Sequence, residues 1–135
     1  MRKFLLALLA LPLIASCGGD SVSSADLAAV SGVYALRTMN SAPLPFTLVN
    51  TAAEFLEVKA DTVTLKSDGS FADVTYYNRT LGSTTDAPVV TLGGAWTLKN
   101  GALTFNGNDG FRYEATLSGN TFTISGDGIV SLYSK

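Results

Sequence analysis

The chain predicts an all-β domain: an antiparallel up-and-down meander closed into a barrel of eight to ten short strands, with a two-sheet β-sandwich as the alternative. Three observations predict it. From residue 31 onward, short runs of β-branched and aromatic residues are punctuated by Gly, Asn and Asp, and no stretch keeps a helical period. The runs alternate. Trp96 and Leu98, then Leu103 and Phe105, then Phe111, Tyr113, Ala115 and Leu117, then Phe122 and Ile124 share one face, while Arg112, Glu114, Thr116, Thr121 and Thr123 share the other. A meander with one dry face must hide both that face and its edges, and closing into a barrel does both.

Taken in order, strands are expected at residues 32–40, 46–49, 54–59, 62–66, 70–78, 89–99, 102–105, 111–117, 121–125 and 129–133. Between them lie Ser67-Asp68-Gly69-Ser70, Asn100-Gly101, Gly107-Asn108-Asp109-Gly110, Ser118-Gly119-Asn120 and Gly126-Asp127-Gly128. These residue types accept the positive φ that tight hairpins require. The polar gap at 78–88 is expected to be a mobile loop. Ahead of the first strand, Asp26-Leu27-Ala28-Ala29-Val30 predicts a short helical turn or a lead into that strand.

The N-terminus has a different character. Arg2 and Lys3 precede an apolar run at 4–15, and small residues then lead to Cys17, the single cysteine. These are the three parts of an export signal. Twelve apolar residues reach only about 18 Å as a helix, short of the roughly 30 Å hydrocarbon core, so a membrane span is not expected. An ordinary secretory signal cut elsewhere would leave Cys17 as a lone thiol in an oxidising compartment, or remove it. Leu13-Ile14-Ala15-Ser16-Cys17 resembles the lipobox of bacterial lipoproteins. That resemblance implies cleavage after a leader at 1–16, acylation of Cys17, and attachment to the cell-envelope membrane. Gly18 and Gly19 stand where an aspartate would retain some lipoproteins in the inner membrane, so the outer membrane is favoured where one exists. Residues 17–30 are then the lipidated cysteine and a flexible tether, and residues 31–135 the barrel domain.

Loss of Arg2 and Lys3 leaves seven Lys and Arg against eleven Asp and Glu, a formal charge of -4 over the 119 residues from Cys17. No basic block survives, so neither nucleic acid nor a polybasic lipid contact is expected as a partner. The chain has no histidine, and its one cysteine is assigned to lipid. Ser-His-Asp and Cys-His catalysis and His or Cys zinc sites are therefore excluded. Asp68 with Asp73, or Glu54, Glu57 and Asp61, are the carboxylates available for paired acid/base work, but they read as turn or solvent-face charges. Asn106-Gly107-Asn108-Asp109-Gly110 gathers oxygen ligands without the spacing of an EF-hand and reads as a β-turn. No enzyme activity and no cofactor or metal is expected.

Gly32-Val33-Tyr34-Ala35-Leu36, followed by Met39-Asn40-Ser41-Ala42-Pro43-Leu44-Pro45, resembles a group of small lipocalin-like bacterial lipoproteins. Gly32-x-Tyr34 echoes the first-strand Gly-x-Trp of lipocalins, and Gly94-Ala95-Trp96 repeats the pattern later in the chain. The META-type domains, another small-lipoprotein group, share such glycine-aromatic strand starts. The lipocalin resemblance implies a barrel that binds a small hydrophobic ligand, with Tyr34, Trp96, Phe105 and Tyr113 as the lining. An eight-stranded barrel is just wide enough to hold such a molecule or to be filled by the same side chains, and a filled barrel would instead act as a structural or protein-interaction module. Of Tyr76 and Tyr77, one ring is expected on each face.

Overall fold

The structure, a computed structural model, describes residues 23–135. The expected leader, Cys17 and the first part of the tether lie outside the described residues. A short helix, α1 (Ser24–Val30), precedes the strands β1 (Gly32–Met39), β2 (Ala42–Pro43), β3 (Phe46–Asn50), β4 (Glu54–Leu65), β5 (Ser70–Leu81), β6 (Thr84–Asp86), β7 (Val89–Lys99), β8 (Ala102–Gly107), β9 (Arg112–Ser118), β10 (Thr121–Gly126) and β11 (Ile129–Ser134). Eight of them, β1, β4, β5, β7, β8, β9, β10 and β11, pair antiparallel in chain order, and β11 returns to β1. The barrel is therefore closed and has no open edge, as the alternation predicts, and the sandwich is ruled out. The three remaining strands lie outside the ring: β2 on β1, β3 on β4, and β6 on β5.

Closure sorts the molecule into two ends. At one end, the start of β1 meets the end of β4, and the 66–69, 100–101 and 118–120 turns gather with α1. Here Tyr34, Trp96, Phe122, Leu65 and Leu103 are the largest fully buried side chains. The Phe122 ring lies 4.9 Å from Tyr34, 5.8 Å from Phe105 and 4.7 Å from Tyr133, at the tilted and stacked spacings aromatic pairs favour. Tyr34 Oη donates to the Val30 carbonyl at 2.7 Å and Trp96 Nε1 to the Lys66 carbonyl at 3.0 Å, so each buried polar tip has a partner. α1 begins in a capping box between Ser23 and Asp26 and ends with Lys135 Nζ donating to the Ala29 and Ser31 carbonyls. The helical turn expected near Asp26 is thus a helix held at this end by Tyr34 and Lys135, built from residues assigned to the tether.

Three local expectations are corrected. Residues 54–59 and 62–66 form one strand, because β4 carries a bulge at Lys59: Val58 pairs with Tyr77 and Ala60 with Tyr76. The extra residue changes the phase, so Val58, Asp61, Val63 and Leu65 all point inward. The gap at 78–88 is not a loop: β5 runs to Leu81, turns at Gly82 (φ 57°) and returns as β6, held by the fork of Arg79 on Asp86. Phe111 is 66% exposed rather than on the dry face, because β9 starts at Arg112 and leaves it in the preceding turn.

One glycine is required by packing. A Cβ at Gly94, mid-strand in β7, would collide with the Asn106 carbonyl oxygen and come within 2.9 Å of Phe71 Cε1. The tight approach of β7 to β8 at that point depends on its absence.

Candidate functional site: an acidic cavity in the open half of the barrel

Toward the other end the interior is not filled. A cavity of about 420 Å³, partly open to solvent, lies between the long hairpin of β4 and β5 and the strands β7 to β11. Its apolar wall is Val63, Phe71, Leu92, Phe105 and Ile124. Its polar groups are Asp73, Thr75, Tyr77, Asp109, Tyr113 and Tyr133. The sequence places them by simple alternation: Phe71, Asp73, Thr75 and Tyr77 are every second residue of β5, and all four line the cavity.

Asp73 is the centre of the polar side. Val63 pairs with Asp73 and Asp61 with Thr75, so Asp61 and Asp73 are diagonal inward neighbours across β4 and β5. The Asp61 carboxyl is therefore the charged group beside Asp73. Asp61 is only 8% exposed, and its Oδ2 accepts a 2.8 Å hydrogen bond from Tyr133 Oη. The Oδ1 atoms of both acids are buried and have no hydrogen-bond partner. Burial, followed by the neighbouring Asp61 carboxyl and its charge, pushes the Asp73 carboxyl up to about 8. Asp73 therefore keeps its proton at neutral pH, because a second charge beside Asp61 in a buried place is costly. The Tyr133 and Tyr77 hydroxyls are pushed above the ordinary tyrosine range, chiefly by burial, with Asp61 and Asp73 adding to it.

A second acid sits at the mouth. The turn between β8 and β9 is closed by Gly110 N–H to Gly107 O at 3.0 Å and by Phe111 N–H to Asp109 Oδ1 at 3.0 Å, which aims Asp109 at the rim. A Cβ at Gly107 would collide with Asp109 Oδ1. Tyr113 Oη reaches Asp109 Oδ2 at 3.4 Å, and burial with the Asp109 charge raises its hydroxyl too.

Of the four aromatic residues expected to line a ligand site, Phe105 and Tyr113 line the cavity. Tyr34 and Trp96 are buried in the closed half, outside that lining. Tyr77 is half-buried on the cavity and Tyr76 is exposed, one ring to each face. The carboxylates separate differently from the sequence reading. Asp68 is a turn residue accepting from Ser70 N–H at 2.8 Å, and Glu57 accepts from Asn78 Nδ2 at 2.7 Å. Asp61 and Asp73, expected as solvent-face charges, are instead interior. Their phase with Val63 and Phe71 was the available signal.

The fold and site together define a class: a small, closed, eight-stranded antiparallel barrel with one packed end and one end holding a cavity, compatible with a lipocalin-like fold. No protein-family model, curated protein or solved structure matches the chain.

Proposed function

We propose that this chain is a lipid-anchored envelope protein whose barrel binds a small, mainly apolar molecule without transforming it. The cavity carries the reading, because its volume of about 420 Å³ falls within the roughly 300 to 1,000 Å³ of small-molecule sites, and a few convergent polar groups interrupt an apolar wall. The filled-barrel alternative has no use for that space. A hydrolytic role is disfavoured by the arrangement of the neighbouring acids Asp61 and Asp73: paired-carboxylate glycoside hydrolysis places the substrate between two groups about 5 to 10 Å apart, whereas of these two only Asp73 lines the cavity. Anchoring rests on the lipobox-like run ending at Cys17, and two or three acyl chains there would hold where one binds only reversibly.

Native mass spectrometry of the full chain released from envelope membranes tests both parts. The expected spectrum carries a covalent lipid mass that Cys17→Ala abolishes, and a separate non-covalent mass, acquired from a lipid and metabolite extract, that Phe105→Ala abolishes with folding intact. A Cys17→Ala chain still acylated would defeat the anchor. A chain that stays free of added mass in every extract would defeat the binding role.

A further inference from the structure

We propose that the molecule this barrel binds is an amphipathic cation, an amine on an apolar body, whose ammonium group is received by Asp73 inside the cavity with Asp61 behind it. The inference rests on the binding role above and specifies its ligand class. It begins from the lining. Apart from the tyrosines, the ionisable side chains facing the cavity are both acids, Asp73 within and Asp109 at the rim, and no Lys or Arg lines it among the described residues. Acids at two depths along one path draw a cation inward and repel an anion.

Hydrogen-bond bookkeeping points the same way. The Tyr133 hydroxyl is committed to Asp61 Oδ2, and the Tyr113 hydroxyl is directed to Asp109. What remains is acceptor capacity without donors: Oδ1 of Asp73 on the cavity wall and, behind it, Oδ1 of Asp61, whose residue is only 8% exposed. Buried acceptors without donors are costly, and an ammonium supplies three donors with a full positive charge. On binding, the Asp73 proton leaves to solvent, and the ammonium donates to the Asp73 carboxylate in its place. An anionic ligand would instead bring a negative charge up to Asp73 and Asp109 with no cation on the lining to meet it. A neutral alcohol of the same shape would gain the apolar wall of Phe71, Leu92, Phe105 and Ile124 but could offer Asp73 only a single neutral donor.

The test compares three ligands of one skeleton, phenylbutylamine, phenylbutanol and phenylbutyrate, titrated calorimetrically into the full chain reconstituted in phosphatidylcholine vesicles. Vesicles without protein provide the partition blank. The expected order is the amine at least about tenfold tighter than the alcohol, with the acid weakest. Asp73→Asn should remove most of the amine's advantage over the alcohol, while near-ultraviolet circular dichroism reports that the barrel is intact. Equal binding of amine and alcohol by the unaltered protein would overturn the cation inference and leave the binding role standing. The same holds if Asp73→Asn retains the amine preference. Failure of all three to bind overturns both. The comparison within the unaltered protein needs no variant, so a misfolded Asp73→Asn would not shelter the idea.

Discussion

The two halves of this barrel are made from the same strands and differ in what those strands put inside. Toward α1, β10 contributes Phe122, fully buried among three aromatic rings; two residues on, it contributes Ile124 to the wall of the cavity. β5 changes in the same way, from Phe71 through Asp73 and Thr75 to Tyr77. One half is organised by close packing of large apolar rings, and the other by polar groups that leave room and need partners. The difference teaches that close packing and open space are partitioned along the barrel axis, which lets the cavity carry buried acids without loss of the fold.

The largest expected effect tests that partition within one strand. Phe122→Ala removes a ring from a site where neighbouring rings cannot all move in, and should cost about 3 to 5 kcal/mol of unfolding free energy. Ile124→Ala removes atoms that already face open space on one side, and should cost about 1 to 2 kcal/mol, because fewer packing contacts are lost. Urea unfolding of both variants measures the contrast. Equal losses would mean that the cavity wall is as tightly packed as the closed end, and the division into halves would fail.

The next effect is one of pH. Asp73 has its carboxyl raised from an ordinary value of 3.8 to about 8 by burial and by Asp61, so the folded state holds its proton more tightly than the unfolded state does. Stability from this group is therefore full below about pH 4, declines as pH rises through the window, and is gone above about pH 8. Asp61 on β4, Tyr77 on β5, Asp109 in the β8–β9 turn, Tyr113 on β9 and Tyr133 on β11 are the titratable groups that face the same space or adjoin it. After allowance for solvent reaching the partly exposed carboxyl, a fall on the order of 2 kcal/mol between pH 5 and pH 9 is expected. Asp73→Asn should flatten the profile. A variant whose melting temperature falls with pH as steeply as the parent's would assign the dependence elsewhere.

How much of this was legible in the sequence also divides between the halves. The closed half is what alternation reads well: Trp96, Leu103 and Phe122 are large, apolar and in phase, and glycine-bearing turns mark where each strand reverses. The cavity was only partly legible. Phe105 and Tyr113 were in reach because they continue the apolar face, but Asp61 and Asp73 look like surface charges to any rule that assigns faces by polarity. Asp73 is in phase with Phe71 and Tyr77, and could have been placed by insisting on register over hydrophobicity. Asp61 could have been placed the same way from Val63 and Leu65, and only its relation to Val58 is hidden by the extra residue at Lys59. Whether large side chains meet at the centre or leave a space is a matter of long-range packing that no short window contains. The β5–β6 hairpin was missed for another reason. Thr80, Thr84 and Thr85 are polar strand formers on a rim where nothing apolar advertises pairing, and the Arg79 to Asp86 fork that fixes the register becomes visible only once the turn is formed.

The smallest expected effect sharpens the account of the closed end. Tyr34 is both a core ring and the anchor of α1, because its hydroxyl donates to the Val30 carbonyl at the last turn of the helix, and Lys135 Nζ sits 5.3 Å from its ring while capping the same carbonyls. Tyr34→Phe keeps the ring and removes only the hydrogen bond. The expected cost is about 1 kcal/mol globally, since the Val30 carbonyl retains Lys135 as a donor. The local effect should be more informative than the global one. Amide exchange at the helix's C-terminal closure, Ser31 N–H to Leu27 O, should accelerate while amides of β10 and β11 beside Phe122 keep their protection. Helix loosening without core loosening would make α1 a docked lid on a barrel end that is already sealed by its own aromatic rings. Parallel acceleration in both places would make the helix part of the seal, and the closed half would then owe its packing to residues that precede the first strand.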